Sequence, residues 1–85
     1  METFCALKQK EVINVCDGLR LGFVCDIEFD IRSGRICKII VPESARCWNF
    51  FGHDREYRIP WECIRRIGDD IILVDVDIDT IIFEC

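Results

Sequence analysis

Acidic residues at alternate positions come nearest to a catalytic or metal-binding pattern in this chain. Asp26, Glu28 and Asp30 stand in the stretch CDIEFDIRSGRI, and aspartates also alternate at positions 75, 77 and 79. Grouped carboxylates can bind divalent cations or move protons. On a β-strand, however, side chains two residues apart are about 7 Å from each other, too far to share a small cation in a straight strand. Alternation is also what a half-buried strand requires, so we interpret Asp26, Glu28 and Asp30 as a solvent-facing strand surface.

The second set of aspartates resembles the start of a calcium loop but does not complete one. Thr80 occupies loop position six, where the loop needs glycine, and no glutamate follows at position twelve. We therefore predict no calcium site there.

Seven cysteines are the other reactive side chains, at positions 5, 16, 25, 37, 47, 63 and 85. Their number is odd and the closest two are nine residues apart, which matches neither a disulfide framework nor paired zinc ligands. A cysteine nucleophile needs a base, and the one histidine, His53, lies in a turn between Gly52 and Asp54. We predict that Cys25 and Cys37 are core residues and that the protein is reduced, free of metal and cofactor, and not an enzyme. A metal- or redox-responsive cysteine-rich regulator is the alternative.

The apolar residues that must position these groups repeat every two residues, which predicts strands rather than helices. From Leu21 to Ile31 the odd positions are apolar or cysteine, and the even positions from 26 onward are acidic. The turn Arg32-Ser33-Gly34 is followed by RICKIIV, so residues 20–41 predict a β-hairpin. The preceding EVINV, which ends before Asp17-Gly18, completes a predicted meander of three antiparallel strands.

The second half of the chain continues the β pattern after Pro42. We predict an aromatic strand over residues 46–51, a returning strand with Tyr57 and Ile59 inward, a helical turn PWECIRRI that begins at Pro60 and ends at Gly68, and a last strand carrying Ile72, Val74, Val76 and Ile78 on one side. The prediction is one all-β domain over residues 1–85. It is a small β-barrel of five to six antiparallel strands with one short helical turn, and residues 76–85 form a C-terminal strand or tail.

An ordered set of motifs covering about residues 4 to 76 resembles the PRC-barrel family. The set is GLRLGFVCDIEFDIRSGRICKIIV followed by YRIPWECIRRIGDDIILV, and it is most similar to the short stand-alone members of the YlmC/YmxH type associated with endospore formation. The resemblance implies a β-barrel that docks to other proteins and does not catalyse a reaction. It covers neither the cysteine richness nor the acidic and apolar tail from Asp75 to Cys85.

Composition narrows the classes of partner. The net charge of −5 disfavours direct binding to nucleic acid, which relies on Lys and Arg. The apolar runs are too short to span a bilayer and the N-terminal residues do not resemble a signal peptide, so we expect a cytoplasmic protein. We predict association with a protein partner or a second copy through the aromatic residues Trp48, Phe50 and Phe51, because they occupy both faces of the predicted strand. Trp61 is predicted to plug the mouth of the barrel.

Overall fold

The computed structural model describes residues 2–43 and 55–84, where strands predominate and helices are short, as the sequence predicts. The described strands are β1 Glu11–Asn14, β2 Arg20–Phe23, β3 Asp26–Phe29, β4 Ile36–Pro42, β5 Arg55–Pro60, β6 Ile64–Ile67, β7 Ile71–Val74 and β8 Ile82–Glu84. The helices are α1 Phe4–Leu7 and α2 Ile78–Ile81, and a 3-10 turn spans Trp61–Cys63. Two four-stranded sheets result: sheet A with the order β2-β1-β7-β6 and sheet B with the order β3-β4-β5-β8.

Both sheets contribute their apolar faces to one core. Val12 and Ile72 of sheet A and Ile39 and Ile59 of sheet B are completely buried and belong to the same cluster of contacting side chains. Tyr57 is also buried, which confirms the predicted inward face of β5. Buried residues alternate with less buried ones along β1, β5 and β7, as expected for strands that place one face on the core.

The predicted three-stranded meander is wrong, because the segment from Leu21 to Ile31 contains two strands in different sheets. β2 pairs with β1 in sheet A, whereas β3 pairs with β4 in sheet B. Gly22 lies just before the crossing and has a φ of +125°, a backbone conformation that favours glycine. A Cβ atom there would lie 3.5 Å from Val41 Cγ1, so β2 passes close to the end of β4.

The described residues form eight strands rather than the predicted five to six, and one pairing is parallel. β1 and β7 run in parallel, with Val12 beside Ile72. The helical turn is also shorter than predicted. The observed 3-10 turn ends at Cys63, and residues 64–67 form β6, which is antiparallel to β7. The β-branched residues Ile64 and Ile67 pack against the core, which favours a strand there. The C-terminal tail forms α2 and then β8, which pairs with β5.

A buried asparagine joins β1 to the segment that leaves β7. The Asn14 side chain is inaccessible to solvent, and its Nδ2 donates to the Val76 carbonyl at 2.9 Å while its Oδ1 accepts from the Val76 N–H at 3.1 Å. Oδ1 also accepts from the Cys16 N–H at 3.4 Å. The amide thus substitutes for a neighbouring strand and satisfies backbone groups that β7 no longer pairs.

A buried lysine fastens the N-terminal segment. The Lys10 ammonium group donates to the Glu2 carboxylate and to the Gly68 carbonyl, and its side chain is 8% exposed. The hydrogen bond from Lys10 and its positive charge lower the pKa of Glu2. This bridge connects the residues before α1 to the turn between β6 and β7.

Candidate interaction surface at the hairpin tip

The β3–β4 hairpin extends its core-facing side beyond the core. Ile27 lies opposite Ile39, and Phe29 lies opposite Ile36, so these pairs share the inward face. Ile39 is completely buried, but Phe29 is 57% exposed and Ile31, in the turn, is 88% exposed. Exposed apolar side chains that adjoin one another mark interaction surfaces. The sequence signal for them was apolar alternation that continues up to the Arg32-Ser33-Gly34 turn.

Backbone hydrogen bonds give the hairpin turn a defined shape. The Asp30 N–H donates to the Arg35 carbonyl at 2.8 Å, and the Asp30 carbonyl accepts from the Gly34 N–H at 2.7 Å. The Asp30 carboxylate accepts from the Arg32 N–H at 2.9 Å. Gly34 has a φ of +73°, which suits glycine at this position. The exposed apolar residues are therefore carried on an ordered turn.

An open groove lies between this hairpin and the 3-10 turn. β4 begins at Ile36, but its ladder with β5 ends two residues later, at the pair Lys38 and Pro60. After Pro60 the chain bends into the 3-10 turn, so Ile36 and Cys37 have no partner on β5. The resulting space, which we call the tip groove, measures about 850 Å³ and is lined in part by Ile36, Cys37, Pro60 and Trp61.

Trp61 stands between the core and the tip groove. It is partly buried and packs against the core cluster. It also lines a smaller cleft of about 280 Å³ beneath α1, together with Phe4, Leu7 and Ile67. In the part of the chain that the structure describes, its indole N–H has no hydrogen-bond acceptor. Tryptophan with a free polar edge is a frequent anchor in protein interfaces.

The walls of the tip groove carry charges of opposite sign. Arg35 and Lys38 lie on the β4 side, Glu62 lies on the side of the 3-10 turn, and Asp30 lies directly after β3. Although Lys38 lies opposite Glu28 in the ladder, neither it nor Arg35 forms an ion pair with a described residue. The β4 side of the groove therefore presents two cations that form no ion pair with a described residue, and Asp30 and Glu62 are the two acids of the lining.

The three alternating acids of β3 form a solvent-facing surface, as predicted. Asp26, Glu28 and Asp30 are all exposed, and Asp26 Oδ1 accepts from the Ile27 N–H at 2.8 Å. Among the described strands, β3 lies at an edge of sheet B. If it paired antiparallel with β3 of a second molecule and both core faces lay on the same side, acids would lie opposite acids in every register, which is unfavourable. The acids thus protect this edge against self-pairing.

Cys25 and Cys37 are exposed, so their predicted place in the core is wrong. Cys25 lies in the connection between the two sheets. Because the backbone leaves one strand and enters another there, the apolar sequence period no longer indicates which side chains face the core. Cys37 is the extra residue of a β-bulge, because Glu28 lies opposite Lys38 while Phe29 lies opposite Ile36. Partial burial of the Cys25 thiol raises its pKa, and the Asp26 and Glu56 carboxylates raise it further. This environment disfavours the reactive thiolate.

The aspartates near the C-terminal end have structural partners. Asp75 Oδ2 accepts from Arg65 at 3.1 Å, and the Asp77 side chain caps α2 by accepting from the Asp79 N–H at 3.2 Å. Across residues 2–43 and 55–84, no three His, Cys, Asp or Glu side chains are grouped so that they could hold a metal ion.

Some sequence predictions concern residues outside the described part of the chain. They are the aromatic surface of Trp48, Phe50 and Phe51, and the turn that contains His53.

None of the described helices is long and apolar enough to cross a membrane.

The amino-acid sequence is similar to known proteins over most of its length. The chain is 42% identical to the "Probable sporulation protein YlmC" of Bacillus subtilis over 65 residues, which cover 76% of this chain and 80% of that protein. It is 35% identical to an uncharacterized protein of Clostridium acetobutylicum over 85% of this chain and 82% of that protein. Identity to the uncharacterized protein YmxH of Bacillus subtilis is 29%, over 82% and 84% of the two chains. The model of the PRC-barrel domain matches residues 1–81, and the chain belongs to the PRC-barrel family.

Proposed function

We propose that this chain is a non-enzymatic, cytoplasmic protein-interaction module that acts in bacterial spore formation. The observation that carries the proposal is the uncovered apolar face of the β3–β4 hairpin, where Phe29 is 57% and Ile31 is 88% exposed. An apolar surface on an ordered turn supports docking to another protein. The biological setting is supported by 42% identity to a protein named as a probable sporulation protein.

The test is capture of partners from sporulating Bacillus subtilis that expresses a tagged form of the chain. One variant replaces Phe29 and Ile31 by Ser. The matched control replaces Val15 and Leu19 by Ser, since these residues are 47% and 45% exposed on a different turn. Quantitative mass spectrometry compares the captured proteins with those captured by the wild-type chain.

We expect the wild-type chain and the Val15/Leu19 control to capture the same proteins, and the Phe29/Ile31 variant to lose them. Equal capture by all three forms would show that the hairpin is not the docking surface. If the wild-type chain captures nothing above background, the proposed interaction function is wrong. Thiol titration and metal analysis of the purified chain test the alternative of a metal- or redox-responsive regulator.

A further inference from the structure

We propose that the tip groove binds an extended segment of a partner protein, which continues the line of β5 beside β4 and carries acidic side chains toward Arg35 and Lys38. This proposal rests on the interaction function and deepens it, because it assigns the binding mode and the chemistry of the partner.

The shape of sheet B supports an extended occupant. β5 leaves the ladder at Pro60, two residues before β4 reaches its beginning at Ile36. The space that β5 would have filled is the tip groove, of about 850 Å³. A strand-like segment fits there because it continues the existing direction of the sheet, and addition of a strand is a common mode of peptide recognition.

The side chains around the groove supply apolar anchoring. Ile36 and Trp61 are partly buried residues that line it, and Phe29 adjoins Ile36 on the same face. The Trp61 indole N–H, which no described residue accepts, is available to a carbonyl or carboxylate of the occupant. Alternating apolar side chains of a partner strand could therefore pack on Ile36 and Trp61.

The charges determine which side of the occupant is acidic. Arg35 and Lys38 stand on the β4 wall, neither of them in an ion pair with a described residue. Glu62 stands on the opposite wall and Asp30 lies directly after β3, so acids of the occupant are repelled near the 3-10 turn and near the end of β3, and are favoured beside Arg35 and Lys38. Pairing of β3 with β3 of a second copy is opposed by the acids on both strands, and light scattering distinguishes a second copy in the groove from a different protein.

The first experiment measures binding of a synthetic peptide to the full chain. The probe has roughly eight residues, about 26 Å when extended, and alternates Asp or Glu with Val or Ile. A second peptide has the same apolar residues and Lys in place of the acids. Binding is followed by the chemical shifts of backbone and indole N–H groups, and the Trp61 signal is assigned with Trp61→Phe.

We expect the acidic peptide to bind, to shift the Trp61 indole signal, and to bind more weakly at high salt. Arg35→Glu and Lys38→Glu should each weaken binding about fivefold, and Glu62→Lys should strengthen it. The matched control is Arg66→Glu, because Arg66 is an exposed cation that does not line the groove. It should change affinity much less. Trp61→Ala should weaken binding about thirtyfold. If the alanine variant does not fold, the affinity of the Trp61→Phe variant is measured in its place and should also be lower than that of the wild-type chain.

Several results would overturn the proposal. Equal affinity for all charge variants would place the peptide elsewhere, and tighter binding of the lysine peptide would contradict the chemistry of the partner. If light scattering shows self-association that Lys38→Glu abolishes, the occupant is a second copy. If neither peptide binds while capture from sporulating cells still depends on Phe29 and Ile31, the groove proposal fails and the interaction function stands. Absence of capture by the wild-type chain would instead reject the interaction function itself.

Discussion

Replacing Asn14 by Ala should be one of the most destabilising single changes that removes no large apolar side chain. The amide satisfies both backbone groups of Val76, at 2.9 and 3.1 Å, and Val76 is only 7% exposed. A buried backbone group left without a partner costs about 1–3 kcal/mol. Loss of both bonds therefore predicts a decrease of about 3 kcal/mol in the free energy of unfolding, a large part of the roughly 4–13 kcal/mol expected for a domain of this length.

Urea denaturation followed by circular dichroism measures this decrease, and Asn14→Asp provides a matched comparison. Aspartate keeps the acceptor but, when ionised, cannot donate to the Val76 carbonyl. Burial raises the pKa of a carboxyl group, so protonation restores the donor in the folded state. The free energy of unfolding that the protonated aspartate contributes is fully present below the unfolded pKa of about 3.9, and it is lost as the pH rises through the higher folded pKa. The deficit relative to wild type should therefore be larger at neutral than at acidic pH.

A loss below about 0.5 kcal/mol for Asn14→Ala, the range of ordinary surface changes, would refute this reasoning. An Asn14→Asp deficit that does not change with pH would also contradict it, since the donor would then be unimportant.

Three further predictions concern the fold. Gly22→Ala should destabilise by about 1–2 kcal/mol in urea denaturation, because φ is +125° and such backbone conformations strain other residues; an unchanged midpoint would contradict the strain. Glu28→Gln should change the free energy of unfolding by no more than about 0.5 kcal/mol, whereas Ile59→Ala, at a completely buried position, should lower it by about 2–5 kcal/mol. A larger effect of Glu28→Gln would indicate that the acidic residues form a functional site. Burial raises the pKa of Tyr57, the one tyrosine of the chain. The protonated phenol therefore contributes to folding stability; this contribution is complete below the unfolded pKa of about 10 and is lost as the pH rises through the folded pKa. Ultraviolet titration should show a higher midpoint in the folded than in the urea-unfolded chain, and equal midpoints would contradict its burial.

Local alternation was sufficient to predict the β class and several inward residues. Tyr57 and Ile59 are buried because β5 is a regular strand inside sheet B, with β4 and β8 on either side. Asp26 and Glu28 are exposed because they alternate with the inward side of β3. In such strands the two-residue period and the position of the core agree.

Alternation failed where the path of the chain depends on distant residues. The sequence around Cys25 continues the period of two, yet the backbone leaves sheet A and enters sheet B there. The parallel pairing of β1 with β7 joins residues that are about 60 positions apart, and a local pattern contains no information about such a neighbour. For the same reason the sequence did not reveal that Asn14 binds Val76.

The candidate surface was difficult to predict because an apolar strand residue has the same sequence pattern whether or not another element covers it. Phe29 and Ile31 follow the inward period, but the hairpin extends past the core and leaves them exposed. The tip groove depends on the early end of the β5 ladder at Pro60. The sequence predicts that a turn begins at Pro60, whereas the position of Pro60 and Trp61 relative to Arg35 and Lys38 depends on the register of β4 with β5.

Site-specific photo-crosslinking in sporulating Bacillus subtilis tests the central claim most directly. A benzophenone amino acid is placed at position 31, and at position 19 as the matched control, since Leu19 is also exposed on a turn. We predict a covalent adduct with another protein from position 31 that does not form from position 19 and that decreases when Lys38 is changed to Glu. No adduct from position 31, or the same adduct from both positions, would contradict the assignment of the hairpin tip as the interaction surface.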